Sequence, residues 1–446
     1  MKLDYFKNAF SSKFMKVSFI VHIVYLLIGL YCFFFVYNQT VDFVVFYRAG
    51  QLIHQNPNGM YDVEQYYLPF RYLPFAAFLF SILSVFNLPV GVVYVIFTFA
   101  SFGANMLVAI LLSELVIDIY KLPKEYYNLF YQFLGAFFLY VPHTDNYVNG
   151  QINSFLGLAL IGALYFFERA GGVQTDDRVV ANCVKLDLWK YNLLGGLLLG
   201  LATVIKPSAF VVLPFVLIIR CSFTQEKKVK LQFNFVQSML RILGSILFLI
   251  PSLDIFRRYP LIFEGFMNVN FAGESQLIDA HSFSLTRIII NIFICLRLNS
   301  PNLLIFILLT ILVFGFAFIK FLFRPERYEF QYQYRYVSIA LTALLVSYFD
   351  SWGHHLVPWV AFAIPLVLLA KVQVNNSLVE VRQRKIKEYN QLFYTLTAIG
   401  MMFWTLLYYI TSDLCYEGSP GFNIVYCGLI IAFYFFSIRT IEKEIN

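Results

Sequence analysis

Long segments of apolar residues recur along the whole chain and restrict it to folds that a lipid bilayer permits. Fourteen can be marked, at 15–36, 70–86, 89–114, 128–142, 152–168, 191–205, 207–220, 236–251, 283–298, 302–323, 335–349, 356–371, 392–411 and 421–438. A helix needs roughly 20 apolar residues to cross about 30 Å of hydrocarbon. Because these segments are long and do not alternate like barrel strands, we expect helices to satisfy the backbone hydrogen bonds. The sequence therefore predicts an all-α polytopic membrane protein.

The composition agrees with this class and excludes several others. Of the 446 residues, 60% are hydrophobic and 13% are charged, whereas about a quarter of the residues of a soluble domain are charged. The net charge of +7 comes from basic residues in short connections beside apolar segments, where such residues orient a membrane protein. We therefore expect membrane lipids, and no nucleic acid, as partners. The six cysteines form no CxxC pair, so we expect neither a disulfide framework nor a zinc site.

The basic loops predict how the segments cross the membrane. If all fourteen crossed, the lysine-rich loop 221–235 and the run VRQRKIKE at 381–388 would lie outside, against the tendency of basic loops to stay in the cytoplasm. If 70–86 and 283–298 lie on the outer face without crossing, twelve spans remain and every strongly basic loop is cytoplasmic. We therefore predict about twelve transmembrane helices plus outer-face non-crossing helices, all in one domain over 1–446.

This topology gathers the unusual polar stretches of the chain on the outer side of the membrane. They are 37–69, 143–153, 205–208, 252–282 and 350–355. Polar and ionisable groups at membrane depth are costly and usually functional. Their convergence predicts one site on the extracytoplasmic face, most simply of a plasma (inner) membrane.

A single acid, Asp42, stands where the first apolar segment ends, in the stretch TVDFVVFYRAGQ. An ordinary interfacial acid is the simpler interpretation. The residues that follow predict a surface helix over 42–54, and an acid in its first turn suits the positive helix end. Such an acid can accept a proton from a sugar hydroxyl, which makes Asp42 the candidate general base. Tyr47, in the same stretch, is a candidate for contact with the sugar or acceptor.

The cation Lys206 precedes Pro207 between two apolar segments. A lysine that snorkels to the interface is an equally reasonable interpretation. The predicted topology, however, leaves this lysine outside, away from the basic loops, and proline is a helix-start signal. A lysine at a helix start suits a phosphate group. Arg48, Arg71 and Arg287 are further phosphate-binding candidates, although the first two can equally be plain interfacial cations.

Side-chain amides open another apolar segment in the stretch NGQINSF, where Gly150 precedes Gln151 and Asn153. Amides at a helix start are often only caps, and this applies more to Asn153 than to Gln151. As ligands, both amides suit the recognition of sugar hydroxyls.

The stretch DSWGHHLVPW holds two of the six histidines, His354 and His355. Adjacent helical residues point about 100° apart, so at most one of the two need face a catalytic site. Two histidines are too few for a zinc site, and no DxD pair accompanies the acid, so we expect no metal and no cofactor. Trp352 and His281 are candidates for sugar or acceptor contact.

Taken in order, these stretches resemble a known family. The quoted segments are VDFVVFYRAGQLIHQNPNGMYD, FRYLPFAAFLFSILSVFNLP, NGQIN, GGLLLGLATVIKPSAFVVLPFVL and SWGHHLVPW. Together they resemble the polyprenol-phosphate-mannose-dependent α-mannosyltransferases of glycosyltransferase family 87. The resemblance covers most of 40–360, and the C-terminal spans 392–438 carry no motif.

The resemblance implies a GT-C fold, an inverting reaction and a polyprenyl-phosphate sugar donor, with a lipid or glycan acceptor. The family's acid after the first span falls on Asp42 and its Lys-Pro falls on Lys206. Its Gly-Gln-x-Asn falls on 150–153, and its Trp-x-His-His falls on 352–355. Two other classes stay open, a membrane transporter and a non-catalytic lipid-glycan binding protein. A transporter needs polar residues near the midplane that are reachable from both faces.

Overall fold

The computed structural model describes residues 3–38, 40–66, 68–84, 88–170, 185–223, 229–272, 284–296, 298, 303–324, 332–347, 353–363, 427–435 and 437–438. Helices dominate this part of the chain. They are α1 Leu3–Ala9, α2 Lys13–Tyr31, α3 Asp42–Gln55, α4 Pro74–Ser84, α5 Val90–Ser113, α6 Tyr127–Leu139, α7 Pro142–Val148, α8 Asn153–Arg169, α9 Lys185–Ile205, α10 Leu213–Val216, α11 Phe235–Arg258, α12 Pro260–Met267, α13 Leu285–Cys295, α14 Leu303–Leu322 and α15 Tyr332–Ser347. Residues 356–363 and 427–435 are also helical.

Several of these helices have the length and composition of membrane spans. Within the described residues they are Lys13–Val36, Val90–Ile119, Leu188–Ile205, Phe235–Arg258 and Ile305–Leu322. The chain is an integral membrane protein built from α-helices, as the sequence predicts. The twelve-span count and the GT-C arrangement stay predictions, since 364–426 lies outside the described residues.

Glycines let α9 and α11 lie backbone to backbone and show the direction in which each runs. A Cβ on Gly196 would come within 2.5 Å of the Arg241 carbonyl oxygen, and Gly200 meets Ser245 in the same way. Because both partners advance by four residues, α9 and α11 are parallel. The chain between them must therefore return along the bundle. We call the end where α9 and α11 finish the upper end, and the opposite end the lower end.

The returning segment differs from the sequence prediction at its lower end. Residues 207–220 were expected to form an apolar helix and 221–235 a loop, but β1 Ile219–Phe223 and β2 Val229–Phe233 pair there as an antiparallel hairpin. The physical reason is alternation, since Ile219 and Cys221 share one face with their partners Phe233 and Leu231. A period of two favours a strand, and the polar sequence TQEKK between the strands favours a hairpin connection.

Helix α4, which lies within the segment 70–86, is short for a membrane span. It has 11 residues, about 16 Å at 1.5 Å per residue, against about 30 Å of hydrocarbon. It packs on α3, where a Cβ on Gly50 would lie 2.8 Å from the Phe80 backbone. The Phe75 amide donates to Ser252 Oγ at 3.2 Å, near the upper end of α11.

A cluster of aromatic side chains fixes the start of α3 against the spans. Phe33 of the first span stacks on Tyr94 of α5 with ring centroids 3.7 Å apart. Phe43 packs edge-on against Tyr94 at 5.3 Å and is fully buried. The cluster also includes Phe97 and Ile152. The position of Asp42, one residue before Phe43, is therefore set by packing rather than by a loose loop.

Candidate active site

The carboxylate of Asp42 meets a side-chain amide from a distant part of the chain. Asp42 begins α3 after an extended Val41, and its side chain is half-buried. Gln151 Nε2 donates a hydrogen bond to Asp42 Oδ2. The Phe43 amide donates to the Asn149 carbonyl at 3.0 Å. The first turn of α3 and the turn before α8 are thus joined twice.

Gly150 makes this close approach possible. Its φ is +60°, a left-handed conformation that glycine adopts without steric cost. A Cβ at this position would lie 2.5 Å from Phe43 Cβ and 2.9 Å from the Tyr94 ring. The backbone angle and the lack of room for a Cβ therefore both require glycine at this position. The resulting turn directs Gln151 toward Asp42.

The second charged group of the site, Lys206, reaches the same turn from another helix. Helix α9 ends at Ile205, and Lys206 takes an extended conformation before the 3₁₀ helix Pro207–Val212. A residue before proline is driven into this region because the proline ring clashes with a helical one. Lys206 Nζ donates to Asn153 Oδ1 at 3.3 Å. The helix start expected at Pro207 is thus observed, in the 3₁₀ form.

A cavity lies beside Lys206 and Asn153. It contains about 440 Å³ of space between atoms, part of which is open solvent. Asn153, Lys206, Ser208 and His355 are its polar lining residues. Its apolar lining includes Leu156, Leu160, Leu341, Leu344, Leu345 and Trp359. A ligand with a charged group and an apolar tail would meet both kinds of side chain here.

Several buried polar atoms beside the site have no hydrogen-bond partner among the described residues. They are Asn146 Oδ1, Gln151 Oε1 and Asn153 Nδ2. Buried polar atoms in proteins are nearly always bonded, so each exception needs an explanation. Two acceptors and a donor within one short segment suit the hydroxyl groups of a sugar, which both donate and accept.

Comparison with known proteins identifies the family. A family model described as glycosyltransferase family 87 matches residues 70–347, more than half of the chain. The chain belongs to glycosyltransferase family 87. Gln151, Asn153 and Lys206 lie within the matched residues, whereas Asp42 and His355 lie outside them. No curated protein and no solved structure is significantly similar to the chain.

Membership confirms the family predicted from the sequence and makes the chain a glycosyltransferase, which acts on a sugar donor and an acceptor at a membrane. The sequence interpretation missed two polar side chains at the candidate site. Asn146 donates from Nδ2 to Ser154 Oγ at 3.1 Å, and Ser208 lines the cavity. Both stand within polar stretches that the sequence analysis had marked, so only their individual roles were missed.

A buried polar cluster in the membrane-spanning part of the glycosyltransferase holds α7, which leads into the 149–153 turn. Tyr147 Oη lies 2.9 Å from His22 Nε2 of α2 and 2.9 Å from Asn105 Nδ2 of α5. His143 Nδ1 lies 3.3 Å from the same Asn105 nitrogen. The Tyr94 hydroxyl donates to the Tyr147 carbonyl. These bonds tie α7 to the two spans beneath it.

Tyr47 and Arg48 of α3 are two more of the predicted site residues, and both make hydrogen bonds within the glycosyltransferase. The Tyr47 hydroxyl donates to the Leu88 carbonyl at 2.9 Å, which anchors α3. Arg48 Nη1 donates to Gln51 Oε1 at 3.3 Å. Burial raises the pKa of the nearby Tyr66 phenol, and the Arg48 guanidinium opposes that shift. Arg48 thus faces the segment after α3.

Arg71, Arg287 and His355 are further predicted site residues that the structure describes. Arg71 is half-buried before α4. Arg287 is fully buried in α13, and its amide donates to Ser284 Oγ at 3.1 Å. His355 ends the 3₁₀ turn Gly353–His355, which packs against α7, and its side chain lines the cavity. Neither arginine lines it.

Some predicted residues fall outside the described part of the glycosyltransferase. His281 and Trp352 do so entirely, and for His354 only the backbone is described. Among the described residues, no group of three or more His, Cys, Asp or Glu side chains is arranged to hold a metal ion.

Proposed function

We propose that the chain is an inverting hexosyltransferase that moves a sugar, mannose, from a polyprenyl-phosphate donor to a lipid or glycan acceptor. One observation carries the proposal. Residues of a single turn contact both charged groups, since Gln151 bonds Asp42 and Asn153 bonds Lys206. A transferase of this kind needs a base for the acceptor and a cation for the leaving phosphate, held on either side of one sugar.

The proposed reaction is an in-line displacement at the anomeric carbon. The acceptor hydroxyl oxygen attacks this carbon, and its proton passes to the Asp42 carboxylate, which acts as general base. The bond between the anomeric carbon and the phosphate oxygen breaks, and polyprenyl phosphate leaves with the electron pair. Attack opposite the leaving group inverts the anomeric configuration. The Gln151 bond supports this role because it orients the carboxylate.

The leaving phosphate would gain its charge beside Lys206. The ammonium group is a compact charge with three donors, and stabilising a charge that develops in the transition state lowers the barrier. Ser208 and His355 line the same cavity as Lys206 and can donate to the same phosphate. We retain His354, Arg48, Arg71 and Arg287 as further candidates for stabilising the charge of the leaving phosphate.

The sugar and the chain of the donor fit different parts of the site. The orphan amide atoms of Gln151 and Asn153 suit sugar hydroxyls, with Tyr47, His281 and Trp352 as further candidates. The apolar lining around Leu156 and Leu345 suits the first prenyl units of the donor. Mannose as the sugar rests on the family resemblance.

The experiment that tests this function offers the purified protein, in nanodiscs, a panel of polyprenyl-phosphate sugars with extracted membrane lipids as acceptors. We expect transfer from polyprenyl-phosphate mannose and inversion at the anomeric carbon of the product. The panel includes nucleotide sugars and polyprenyl-diphosphate sugars as alternative donors. Transfer from a nucleotide sugar alone, or retention of configuration, would contradict the proposal.

The outer face of a plasma membrane is the proposed location of the site. Single cysteines at Asp62 and Lys230, in a background without the native cysteines, test it in intact cells. An impermeant maleimide should label position 62 and not 230. Labelling of both from one side would contradict the proposed topology.

A transporter and a non-catalytic binder remain the alternatives, and two preparations of the wild-type protein discriminate them, nanodiscs for binding and turnover and sealed vesicles for transport. A transporter would move labelled sugar lipid across sealed vesicles without forming a new glycosidic bond. A binder would retain the donor lipid without turnover. Either result with wild-type protein would replace the proposed reaction.

A further inference from the structure

The hairpin at the lower end has one apolar face that no described part of the protein covers. In its register Cys221 pairs with Leu231 and Ile219 pairs with Phe233. The side chains of Val229, Leu231 and Phe233 point to one face and are 57%, 59% and 42% exposed. A two-stranded sheet is only marginally stable alone in water. We therefore expect its apolar face to pack against another apolar surface.

The base of the hairpin is fixed, so this face has a defined direction. Arg220 is buried, and its Nε donates to the Arg324 carbonyl at 3.1 Å. Arg324 Nη1 donates back to the Ile219 carbonyl at 2.7 Å. The Asn234 amide donates to the Ile218 carbonyl at 2.9 Å. These bonds attach the hairpin to the lower ends of α14 and α11.

The exposed face continues directly into the lipid-facing side of a spanning helix. Helix α11 begins with Phe235 and Val236, which are 61% and 67% exposed. The rings of Phe233 and Phe235 meet edge to face with centroids 5.9 Å apart. Because α11 is long and apolar enough to cross a membrane, we expect its outward side at this end to face lipid. Aromatic side chains at the end of a span are typical of the membrane interface.

The charge of the hairpin indicates which lipids it meets. The sequence TQEKKVK at 224–230, which leads from β1 into β2, carries three lysines against one glutamate. Lys230 is exposed and alternates with Val229 and Leu231, so it points to the opposite face. Basic groups beside a membrane surface are attracted to anionic headgroups. An apolar face next to a basic edge is the pattern of a segment that lies in the interface.

We propose that the strands Ile219–Phe223 and Val229–Phe233 lie in the interface of the leaflet at the lower end of the bundle. Leu231 and Phe233 enter the boundary between headgroups and acyl chains, and the basic charge of the hairpin sequence attracts anionic headgroups. The hairpin thereby anchors the lower ends of α11 and α14. This anchor is independent of the reaction at the upper end.

The test is spin-label accessibility in nanodiscs of a zwitterionic lipid mixed with phosphatidylglycerol. Single labels are introduced through Val229→Cys, Lys230→Cys, Leu231→Cys, Gln232→Cys and Phe233→Cys in a background without the native cysteines. Leu247→Cys, on the exposed side of α11, serves as the lipid-facing reference. Each variant is first checked for an unchanged elution profile and Tm.

Collision with oxygen reports lipid, and collision with a water-soluble nickel chelate reports solvent. We expect positions 229, 231 and 233 to favour oxygen several-fold over nickel, and 230 and 232 to favour nickel, in strict alternation. Nickel access along the whole hairpin would overturn the proposal in favour of a hairpin in water. Low access to both reagents would overturn it in favour of a protein-covered face.

A second experiment tests whether the basic charge of the hairpin sequence attracts anionic lipid. We expect the label at 231 to move deeper when phosphatidylglycerol replaces part of the zwitterionic lipid. The combined change Lys227→Gln, Lys228→Gln and Lys230→Gln should abolish that shift without changing the alternation. A depth that is equal in both lipid mixtures would remove the anionic headgroups from the proposal.

Discussion

Gln151 donates a hydrogen bond to the carboxylate of Asp42 across 109 positions of sequence. The contact belongs to a junction in which the Phe43 amide also bonds the Asn149 carbonyl. An acid held by an amide at the end of a membrane span has a fixed direction, unlike an ordinary interfacial acid that turns freely in water. Two of the predictions below rest on this junction.

Replacing Asp42 with asparagine should abolish most of the transfer while leaving the fold intact. Asparagine keeps the shape and still accepts a hydrogen bond from Gln151, but it is too weak a base at neutral pH. A positioned base contributes about 10²–10⁴-fold, so single-turnover transfer by Asp42→Asn should fall by that factor. Asp42→Glu should lie between the two, because its carboxylate is displaced by one methylene.

The matched control is Asp62→Asn, which removes an exposed acid that has no part in the proposed site. Its transfer rate should equal that of the wild type. Gln151→Leu should slow transfer only while Asp42 is present, and a double-mutant cycle measures this coupling. A transfer rate for Asp42→Asn within a few-fold of wild type would mean that the base lies elsewhere.

Lys206 should matter for the donor phosphate. Lys206→Ala removes the charge from the cavity lining and should lower kcat/KM for the donor by about 10²-fold or more, as loss of a charge-stabilising donor does. Lys206→Arg keeps the charge and should recover part of the activity. The measurement is transfer at varied donor concentration and fixed acceptor. Lys124→Ala, an exposed lysine, is the control, and equal donor dependence in both alanine variants would remove Lys206 from the phosphate site.

His355 is the histidine of the pair that we expect to act, because its side chain lines the cavity with Lys206. His355→Ala should slow transfer by about tenfold or more, in the range of a lost hydrogen bond to a charged group. His355→Gln should retain more activity, since its amide still donates. Equal and mild effects of His354→Ala and His355→Ala on the single-turnover rate would favour a structural role for both.

The sequence predicts the individual charged groups of the site better than their partners. Asp42 is conspicuous because one acid follows a long apolar segment, and Lys206 because proline interrupts the helix after it. The pairing of Gln151 with Asp42 depends on packing between segments far apart in the chain, which no local pattern encodes. The same holds for His22 and Asn105, which look like isolated polar residues in apolar spans.

For the hairpin, by contrast, the sequence does contain a local strand pattern, but the signals for an apolar helix and a basic loop are stronger. Residues 219 and 220 end an apolar segment without a break, so hydropathy alone extends the helix through them, and 221–223 fall in the expected loop. The alternation of apolar and polar residues on 229–233 is a strand signal, but it lies beside three lysines that read first as an orientation signal. The charge of these residues thus predicts a loop and their periodicity predicts a strand. The structure shows that the strand prediction is the correct one.

The Gly150 position offers the sharpest test of the junction itself. An alanine there must hold a φ of +60°, which costs an L-residue roughly 1–2 kcal/mol, and its Cβ would lie 2.5 Å from Phe43 Cβ. Because Phe43 is buried and its backbone is bonded to Asn149, it cannot turn away as the end of a flexible side chain would. Gly150→Ala should therefore lower the Tm and move Gln151 away from Asp42, and the single-turnover rate of the folded fraction should fall.

Gly103→Ala is the matched control, because a Cβ there meets nothing within 4 Å and alanine is favoured over glycine in a helix interior. Its Tm should be unchanged or slightly higher and its transfer rate unchanged. Asp42→Asn combined with Gly150→Ala separates the two effects of the glycine. The second substitution should then lower the Tm as before but add little to the loss of transfer, because the base it misdirects is already absent. If Gly150→Ala alone keeps both the wild-type Tm and the wild-type rate, the turn does not hold the acid, and the junction between Gln151 and Asp42 has no part in the reaction.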